Sequence, residues 1–569
     1  MKKVLKITGL ILGSLILLLA LVLFLLPYFL NLEKIRHYLA QELSTRLQAK
    51  VSVAEVRLRF LPTPRVKVKN LKVEGKKFVF DLRAGDLILR LAPLFRKEIV
   101  VEKCKLEGPV LTLLTRAPPE GAPPKEAQTG FKELFPKLET LLTKVPEITI
   151  EFEDATFKKQ KGPEVYTLLT ETRGLLGLKK EFLELELSGQ NRALKKLTFT
   201  LKLWPKEALL EGLVRVRHAD LEKLPPLKED WPLERLKTDL NLDLSYRFEE
   251  GKWLLGFTAT APCLVRQKNP PLFFDCSALI GQASYQPGEL KVEIKELVAR
   301  HPLLEARGLF VKNPQGSRFD FFITRGDWEE IKKRLFVFLE KNRGFLRFAE
   351  IVQAGLAYET HFKSQAPTVK TLFKLENLTY VGQAQEARIK VPKLDLLLTK
   401  VSGKVAIEKG KLTVKDAKAH YQDLLLREAT LTLPLTKLKD PGAKLHFAAR
   451  FAGPFPRLQE VLFRLPLPDR IANEIKALSG QGRLSGRVKV EGLLRHPQVA
   501  FALHPQDLAL RYQRFPLPLR LRGGTISYAQ KEIVTKGVTV NTPQSRLTLR
   551  FRLRPFVKPW WLELKETRG

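Results

Sequence analysis

The sequence predicts a mainly β protein with interspersed helices, following one N-terminal transmembrane helix, and three observations lead there. Residues 7–30 form an apolar run without a charged residue. From residue 51 onward, short segments alternate apolar and polar residues with the two-residue period of a half-buried strand. Gly and short turn signals between those segments favour meandering sheets over a parallel sheet wrapped by helices.

The chain has 569 residues, enough for several domains or one long repetitive body. Lys and Arg number 98 against 61 Asp and Glu, a formal charge of +37, yet 44% of the residues are apolar, which excludes a disordered basic tail. Three cysteines, Cys104, Cys263 and Cys276, exclude both a dense disulfide framework and a four-thiolate zinc site.

The first element is the apolar run. As a helix, residues 7–30 match a hydrocarbon core of about 30 Å. Pro27, Tyr28 and Phe29 stand where a small-residue cleavage signal would be needed, so the expectation is an uncleaved signal anchor, with a cleaved signal peptide as the alternative. Lys2, Lys3 and Lys6 favour a cytoplasmic N-terminus and an extracytoplasmic body, while Lys34, Arg36, Arg46 and Lys50 weaken that asymmetry. Leu32, Ile35, Leu39, Leu43 and Leu47 then recur at three- and four-residue intervals, an amphipathic helix whose stripe packs on the first strands or meets the membrane surface.

VSVAEVRLRF, PRVKVKNLKVEG and PVLTLL read as strands, with Val66 and Val68 opposite Lys67 and Lys69. The Pro-rich APPEGAPPKEAQTG interrupts them, and FKELFPKLETLLTKV follows as a helix that Pro136 kinks or divides. Residues 146–325 resume the strand texture: LKKLTFTLKLW sets Leu197, Phe199, Leu201 and Leu203 against Thr198, Thr200, Lys202 and Trp204. A helix is expected at WEEIKKRLFVFLEKN, then strands through PTVKTLFKLENLTY and VSGKVAIEKGKLTVKDAKAHYQDLLL. Helices at PRLQEVLFRL and DRIANEIKALS precede the last strands, of which RLTLRFRLR alternates most clearly. GKVAIEKGKLTV and GRVKVEGLL are similar, but their irregular spacing does not establish a solenoid. The divisions expected are 7–30 anchor, 31–115 helix and opening strands, 116–145 linker and helix, 146–395 strand-rich middle with a helical insertion near 327–355, and 396–569 strand-rich end.

Catalytic signatures are missing. The eight histidines, among them His218, His301, His420, His496 and His504, form no HExxH or metal-ligand spacing, and there is neither a G-x-S-x-G elbow nor a GxxxxGK loop. The chain therefore reads as a non-enzyme without catalytic, metal or cofactor residues. Nucleic acid is disfavoured as a partner because the basic residues are spread along strands rather than gathered on a recognition helix. Cys263 and Cys276 are left open between a local disulfide and reduced thiols, and Cys104 reads as a small apolar core residue.

LSTRLQAKVSVAEVRLRFLPTPRVKVKNLKVEG, LAPLFRKEIVVEKCKLEGPVLTLL and LSGQGRLSGRVKVEGLLRHPQVAFALHPQDLALRYQRFPLPLRLRGGTISYAQ together resemble the AsmA family, Gram-negative inner-membrane-anchored envelope proteins related to TamB and, more distantly, to bridge-like lipid-transfer proteins. The resemblance implies an elongated, open β-groove in the periplasm, its apolar interior holding phospholipid acyl chains. Val66, Val68, Leu197, Phe199, Leu201, Val488, Val490, Leu547, Leu549 and Phe551 are the sampled lining positions, each equally compatible with ordinary core packing. Arg546, Arg550, Arg552 and Arg554 are candidate contacts for anionic headgroups, against the plainer reading of a solvated strand face. The expected function is phospholipid transfer or sheltering in envelope maintenance, with phospholipids, the inner membrane and an outer-membrane or periplasmic protein as partners. The alternative is a non-enzymatic scaffold for outer-membrane biogenesis.

Overall fold

The computed structural model describes residues 32–568 except 60–62, 91–92, 94–95, 97–99, 116–126, 224–235, 266–271, 340–349, 373, 375, 392–394, 437–439, 441, 465–468, 494–495, 514, 516 and 555–560. The expected anchor at 7–30 lies outside the described residues, and among the described residues no helix is long and apolar enough to cross a membrane. The chain forms two compact units, Met1–Phe273 with Ile280–Pro287, and Phe274–Leu279 with Gly288–Gly569, so the division falls inside the expected 146–395 middle.

In the first unit, helix α1 (Leu32–Leu47) packs on β1 (Lys50–Arg59), held by Arg36 donating to the Ala54 carbonyl at 3.3 Å and by the Ser44 hydroxyl accepting from the Val51 amide at 3.1 Å. β1, β2 (Arg65–Glu74), β3 (Phe78–Leu89) and β4 (Val101–Thr115) form an antiparallel meander. Helix α2 (Ala127–Lys144), with Pro136 inside it, carries the chain back, so β5 (Ile148–Lys161) runs parallel to β4. From there β6 (Glu164–Leu178), β7 (Leu183–Gln190), β8 (Leu194–Trp204), β9 (Leu209–Ala219), the short β10 (Leu236–Thr238), β11 (Leu240–Glu249) and β12 (Lys252–Val265) add antiparallel neighbours, β10 and β11 both pairing with β12. β13 (Leu272–Gln286) follows.

The second unit is a meander through β14 (Glu289–His301), β15 (Leu304–Asn313), β16 (Gly316–Asp327), β17 (Val352–Ala366), β18 (Leu378–Val391), β19 (Leu396–Glu408), β20 (Lys411–Tyr421), β21 (Leu424–Pro434), β22 (Lys444–Pro454), β23 (Leu478–Leu493) and β24 (His496–Tyr512). Beyond β24 the ladder forks: β25 (Leu519–Arg522) and β26 (Thr525–Ala529) both pair with it, β27 (Glu532–Lys536) and β28 (Val538–Asn541) extend the two branches, and β29 (Arg546–Arg554) joins them before β30 (Trp561–Arg568). Helices α3 (Trp328–Leu339), α4 (Phe455–Arg464) and α5 (Asp469–Ala477) sit in the connections where the sequence places them.

One expectation needs correction. PTVKTLFKLENLTY is not a strand until Leu378; a 3-10 turn spans Val369–Thr371, and Leu372 is buried to 1% exposure with its carbonyl accepting from the Ser364 hydroxyl at 2.5 Å. Pro367 and the three-residue step from Val369 to Leu372 are turn signals that the apolar content of the segment concealed. Cys276 and Cys104 are buried and free, and the Cys263 side chain lies outside the described ones.

The alternation that built these strands changes parity inside many of them. In β2 the apolar face carries Val66 and Val68, then Leu71 and Val73; in β5, Ile150 and Phe152, then Ala155 and Phe157; in β20, Leu412 and Val414, then Ala417 and Ala419. At each change one extra residue turns to positive φ: Asn70 at 46°, Asp154 at 55°, Asp416 at 53°. At Asp154 and Asp416 the pairing register shifts as well, which makes them β-bulges that bend the strand and increase its twist, whereas β2 keeps its register to both neighbours through Asn70. Glu359, Glu386, Lys400, Asp416 and Glu428 place bulges on five successive strands, β17 to β21, so neighbouring bends form a common crease. Both units repeat one device at a bulge. Thr172 after Glu171 and Thr360 after Glu359 are buried to 0% and 1%, each donates its hydroxyl to the carbonyl two residues earlier, and each faces a glycine, Gly189 or Gly382, where a Cβ would come within 2.6 or 2.5 Å of that hydroxyl.

Candidate functional site

Cross-strand partners share a sheet face, so following them strand by strand reveals which side chains form continuous rows. In the first unit one row runs Leu58, Val66, Leu87, Cys104, Ile150, Leu176, Leu185, Leu201, Gly212, Tyr246, Leu255, through β1–β9, β11 and β12. Beside it runs Val56, Val68, Gly85, Leu106, Phe152, Gly174, Leu187, Phe199, Val214, Leu244, Phe257. Neither row contains a charged residue.

The glycines in these rows make room for neighbouring rings. A Cβ at Gly174 would lie 2.4 Å from the Phe152 ring, and one at Gly212 would lie 2.0 Å from the Thr200 carbonyl and 2.4 Å from the Tyr246 hydroxyl. The Tyr246 ring thus lies over the strand that supplies no side chain, and its hydroxyl donates to Thr200 at 2.8 Å. The titratable members of the rows stay neutral. Burial pushes the Tyr246 hydroxyl up to about 12, and burial, with the Asp86 charge adding, pushes the Cys104 thiol up to about 11.

The opposite face is polar. Arg57, Lys67, Asp86, Lys105 and Glu151 occupy one row there, and Lys103 reaches Glu151 at 2.5 Å while Lys69 reaches Glu55 at 3.1 Å. Opposite signs interleave from Lys67 through Asp86 and Lys105 to Glu151, while Arg57 and Lys67 are like charges directly opposed.

Coverage of the apolar face is uneven. At one margin a third row, Leu178, Leu183, Leu203, Leu210, Phe248, Trp253, lies under α2, whose Phe135 stacks on Phe248 at 5.9 Å; Phe135, Leu203, Leu210 and Phe248 are buried. Away from that margin Leu176, Leu185, Leu187, Phe199, Val214, Leu244, Leu255 and Phe257 are only half-buried, and Leu201 packs against its edge.

The second unit repeats the pattern. Its rows include Ile294, Gly308, Phe321, Phe362, Tyr380, Ile407, Leu412, Leu433 and, beside it, Gly382, Val405, Val414, Leu431, Phe447, Val490, Val499. A glycine again faces an aromatic ring, a Cβ at Gly308 falling 2.4 Å from Phe321. Near the C-terminal strands the apolar face closes: Tyr421, Leu424, Phe451, Leu484, Leu508, Leu521 and Val538 are buried, with Phe455, Leu458 and Val461 of α4 packed against them.

Of the sequence-chosen lining residues, Val66 shares a row with Leu201, and Val68 with Phe199, although β2 and β8 are far apart in the chain. Leu197 faces Gly189 and Val216 on the same side. Val490 lies in an open row, whereas Val488 and Leu549 pack against the closed cluster. Leu547 is exposed beside Val540, and Phe551 faces Leu564. The candidate arginines are on β29: Arg546 lies opposite Asn541, Arg550 opposite Glu566, and Arg552 and Arg554 converge on Glu532 at 3.8 and 2.7 Å, Arg554 also lying 5.1 Å from the centre of the Trp561 ring. The sampling missed Leu87, Ile150, Leu176, Leu185 and Tyr246, which the strand register places in the same rows.

These features define a β-rich protein built on an antiparallel meander with a row-forming apolar face and a charged reverse. The AsmA family model matches residues 1–122, and this N-terminal part of the chain belongs to the AsmA family. Comparison with curated proteins gives no match.

Proposed function

We propose that this is a non-enzymatic envelope protein that shelters or transfers phospholipids, anchored in the inner membrane by residues 7–30 with its body in the periplasm. The observation carrying this reading is the pair of uncharged rows crossing the strands of the first unit with their large side chains half-buried. Acyl chains laid along such rows replace water on apolar surface at about 25 cal/mol per Å². Each acyl chain, half of a bilayer core of about 30 Å, spans about three strands at about 4.8 Å per strand. A lipid can therefore step along the sheet while keeping its contacts. No nucleotide-binding motif accompanies the rows, so movement is passive and its direction comes from the membranes or a partner.

Native mass spectrometry of detergent-purified full-length chain tests the reading. Phospholipid retained in stoichiometric amounts, and diminished by a charge placed in the rows, is the expected result. A folded chain that carries no lipid beyond what surrounds its N-terminal segment overturns it and leaves a scaffold for outer-membrane assembly.

A further inference from the structure

The reverse, polar face of the second unit carries a row of directly opposed like charges. Across β21, β22 and β23, Arg427 lies directly opposite Arg450, and Arg450 directly opposite Arg487. Like charges directly opposed across strands are destabilising, and here two such pairs follow one another without an acidic residue between them. Lys489, two residues along β23 from Arg487, faces the same side. Arg450 has Glu428 at 2.7 Å and Lys489 has Glu491 at 2.8 Å. Arg427 and Arg487 are exposed, and among the described residues neither lies within ion-pair distance of a carboxylate.

Next to these cations the surface is hollowed. A trough of about 440 Å³ is bordered by Arg450, Arg487 and Lys489, with Glu428 beside Arg450, and continues over Ala500, Ala502 and Ser527. The register explains the hollow. Arg487 pairs with Ala502 and Lys489 with Ala500, so long cationic side chains stand next to alanines that fill nothing. A row of three opposed arginines in which Glu428 offsets only Arg450, beside a hollow its own side chains leave empty, is a charge arrangement completed by an external anion. Guanidinium forks match phosphate oxygens two at a time, and three of them at about 4.8 Å spacing span a diphosphate.

We propose that Arg427, Arg450 and Arg487, with Lys489, form a binding site for a phosphate or diphosphate group on the face opposite the apolar rows. The site is independent of the acyl-binding reading, because its residues point away from those rows.

The test is titration calorimetry of the detergent-purified full-length chain with inorganic pyrophosphate at 50 mM salt. Saturable binding is expected, weakened at least fivefold in Arg487→Gln, abolished in the triple variant R427Q/R450Q/R487Q, and unchanged in Arg217→Gln, an arginine on the polar face of the first unit, outside the proposed row. The triple variant relieves repulsion and is expected to melt no lower than the parent, so loss of binding is separable from loss of fold. Displacement of pyrophosphate by dihexanoyl phosphatidic acid below its micelle concentration identifies a lipid headgroup as the source; failure to displace identifies a soluble phosphate compound; either outcome supports the site. Absence of saturable binding, or equal binding by the folded triple variant, overturns it. Phe199→Asp, which breaks an apolar row, leaves pyrophosphate binding intact if the two readings are separate.

Discussion

Phe199→Asp places a carboxylate in the middle of an uncharged row, between Leu187 and Val214, and removes a ring that stacks on Tyr246 at 6.2 Å between centroids. Phe199 is half-buried, so the fold loses about 1–1.5 kcal/mol of burial and ring contact, which a body of this size tolerates. A passing acyl chain fares worse. It must lie against a carboxylate that keeps part of its hydration, and even at the low end of the desolvation cost, about 3 kcal/mol, passage slows about 150-fold. Because one chain spans about three strands, it cannot step over the substituted position without touching it. Transfer of a fluorescent phospholipid between donor and acceptor vesicles reads the rate, and native mass spectrometry reads occupancy. Thr198→Asp is the control, since Thr198 lies on the reverse face between Ser188 and Arg215. Transfer at the parental rate by folded F199D, or equal impairment by T198D, would refute the row as the lipid path.

Gly212→Leu drives a side chain into the Thr200 carbonyl and the Tyr246 ring and breaks their hydrogen bond; chemical denaturation should show a loss of about 2–4 kcal/mol in the first unit. Thr360→Val keeps the shape at the buried bulge but removes the hydroxyl that donates to Tyr358 at 3.2 Å, with an expected cost of about 1 kcal/mol in the second unit. Asp507 accepts from Arg520 and then Arg522, both at 2.7–3.2 Å, and these guanidinia hold its carboxyl far below the usual range. A depressed pKa contributes stability above the ordinary carboxylate value that is lost as pH falls toward the folded-state value. The melting-temperature gap between the parent and Asp507→Asn is therefore constant from about pH 8 to about pH 5 and shrinks below about pH 4; a gap that widens on acidification contradicts the assignment.

The local elements were legible because they need only local information. LKKLTFTLKLW becomes β8 from its first residue to its last, and RLTLRFRLR becomes β29 likewise. The rows were not legible, because alternation fixes which face a residue occupies within its own strand and says nothing of the register that joins Val66 to Leu201. The bulges blurred even the face. A fixed period of two carried through β5 would send Ala155 and Phe157 to the polar side, whereas Asp154 at positive φ returns them to the apolar one. The signal is present in the sequence as a single-residue slip at Asn70, Asp154, Glu171, Glu386, Asp416 and Glu428, a polar residue at every slip. Asn and Asp tolerate this conformation, which makes their slips readable; for Glu the strand pairing on either side imposes it.

Burial in this chain is inverted relative to a sealed domain, and that inversion bears on what the apolar face is for. Globular cores bury their large aliphatic and aromatic side chains most completely. Here the deepest positions are small: Ala155 and Ala219 at 1%, Ala299 at 2%, Ala387 at 3%, together with the bulge threonines. The side chains below 2% that are larger than alanine are Leu372, Thr172, Thr360 and Pro64 among the described residues, although the sequence contains 34 phenylalanines. Alanines at the creases let backbones approach closely, as where a Cβ on Gly355 would meet the Cα of Ala387 at 2.7 Å. Phe199, Leu244 and Phe257 meanwhile hold their faces half open in register from strand to strand. A sheet selected only to be stable would gain by covering those residues with a second layer, as α2 does over Phe248 and α4 does over the C-terminal cluster. Leaving the uncovered rows of each unit half open forgoes that stabilisation along the surface where an apolar guest would restore it.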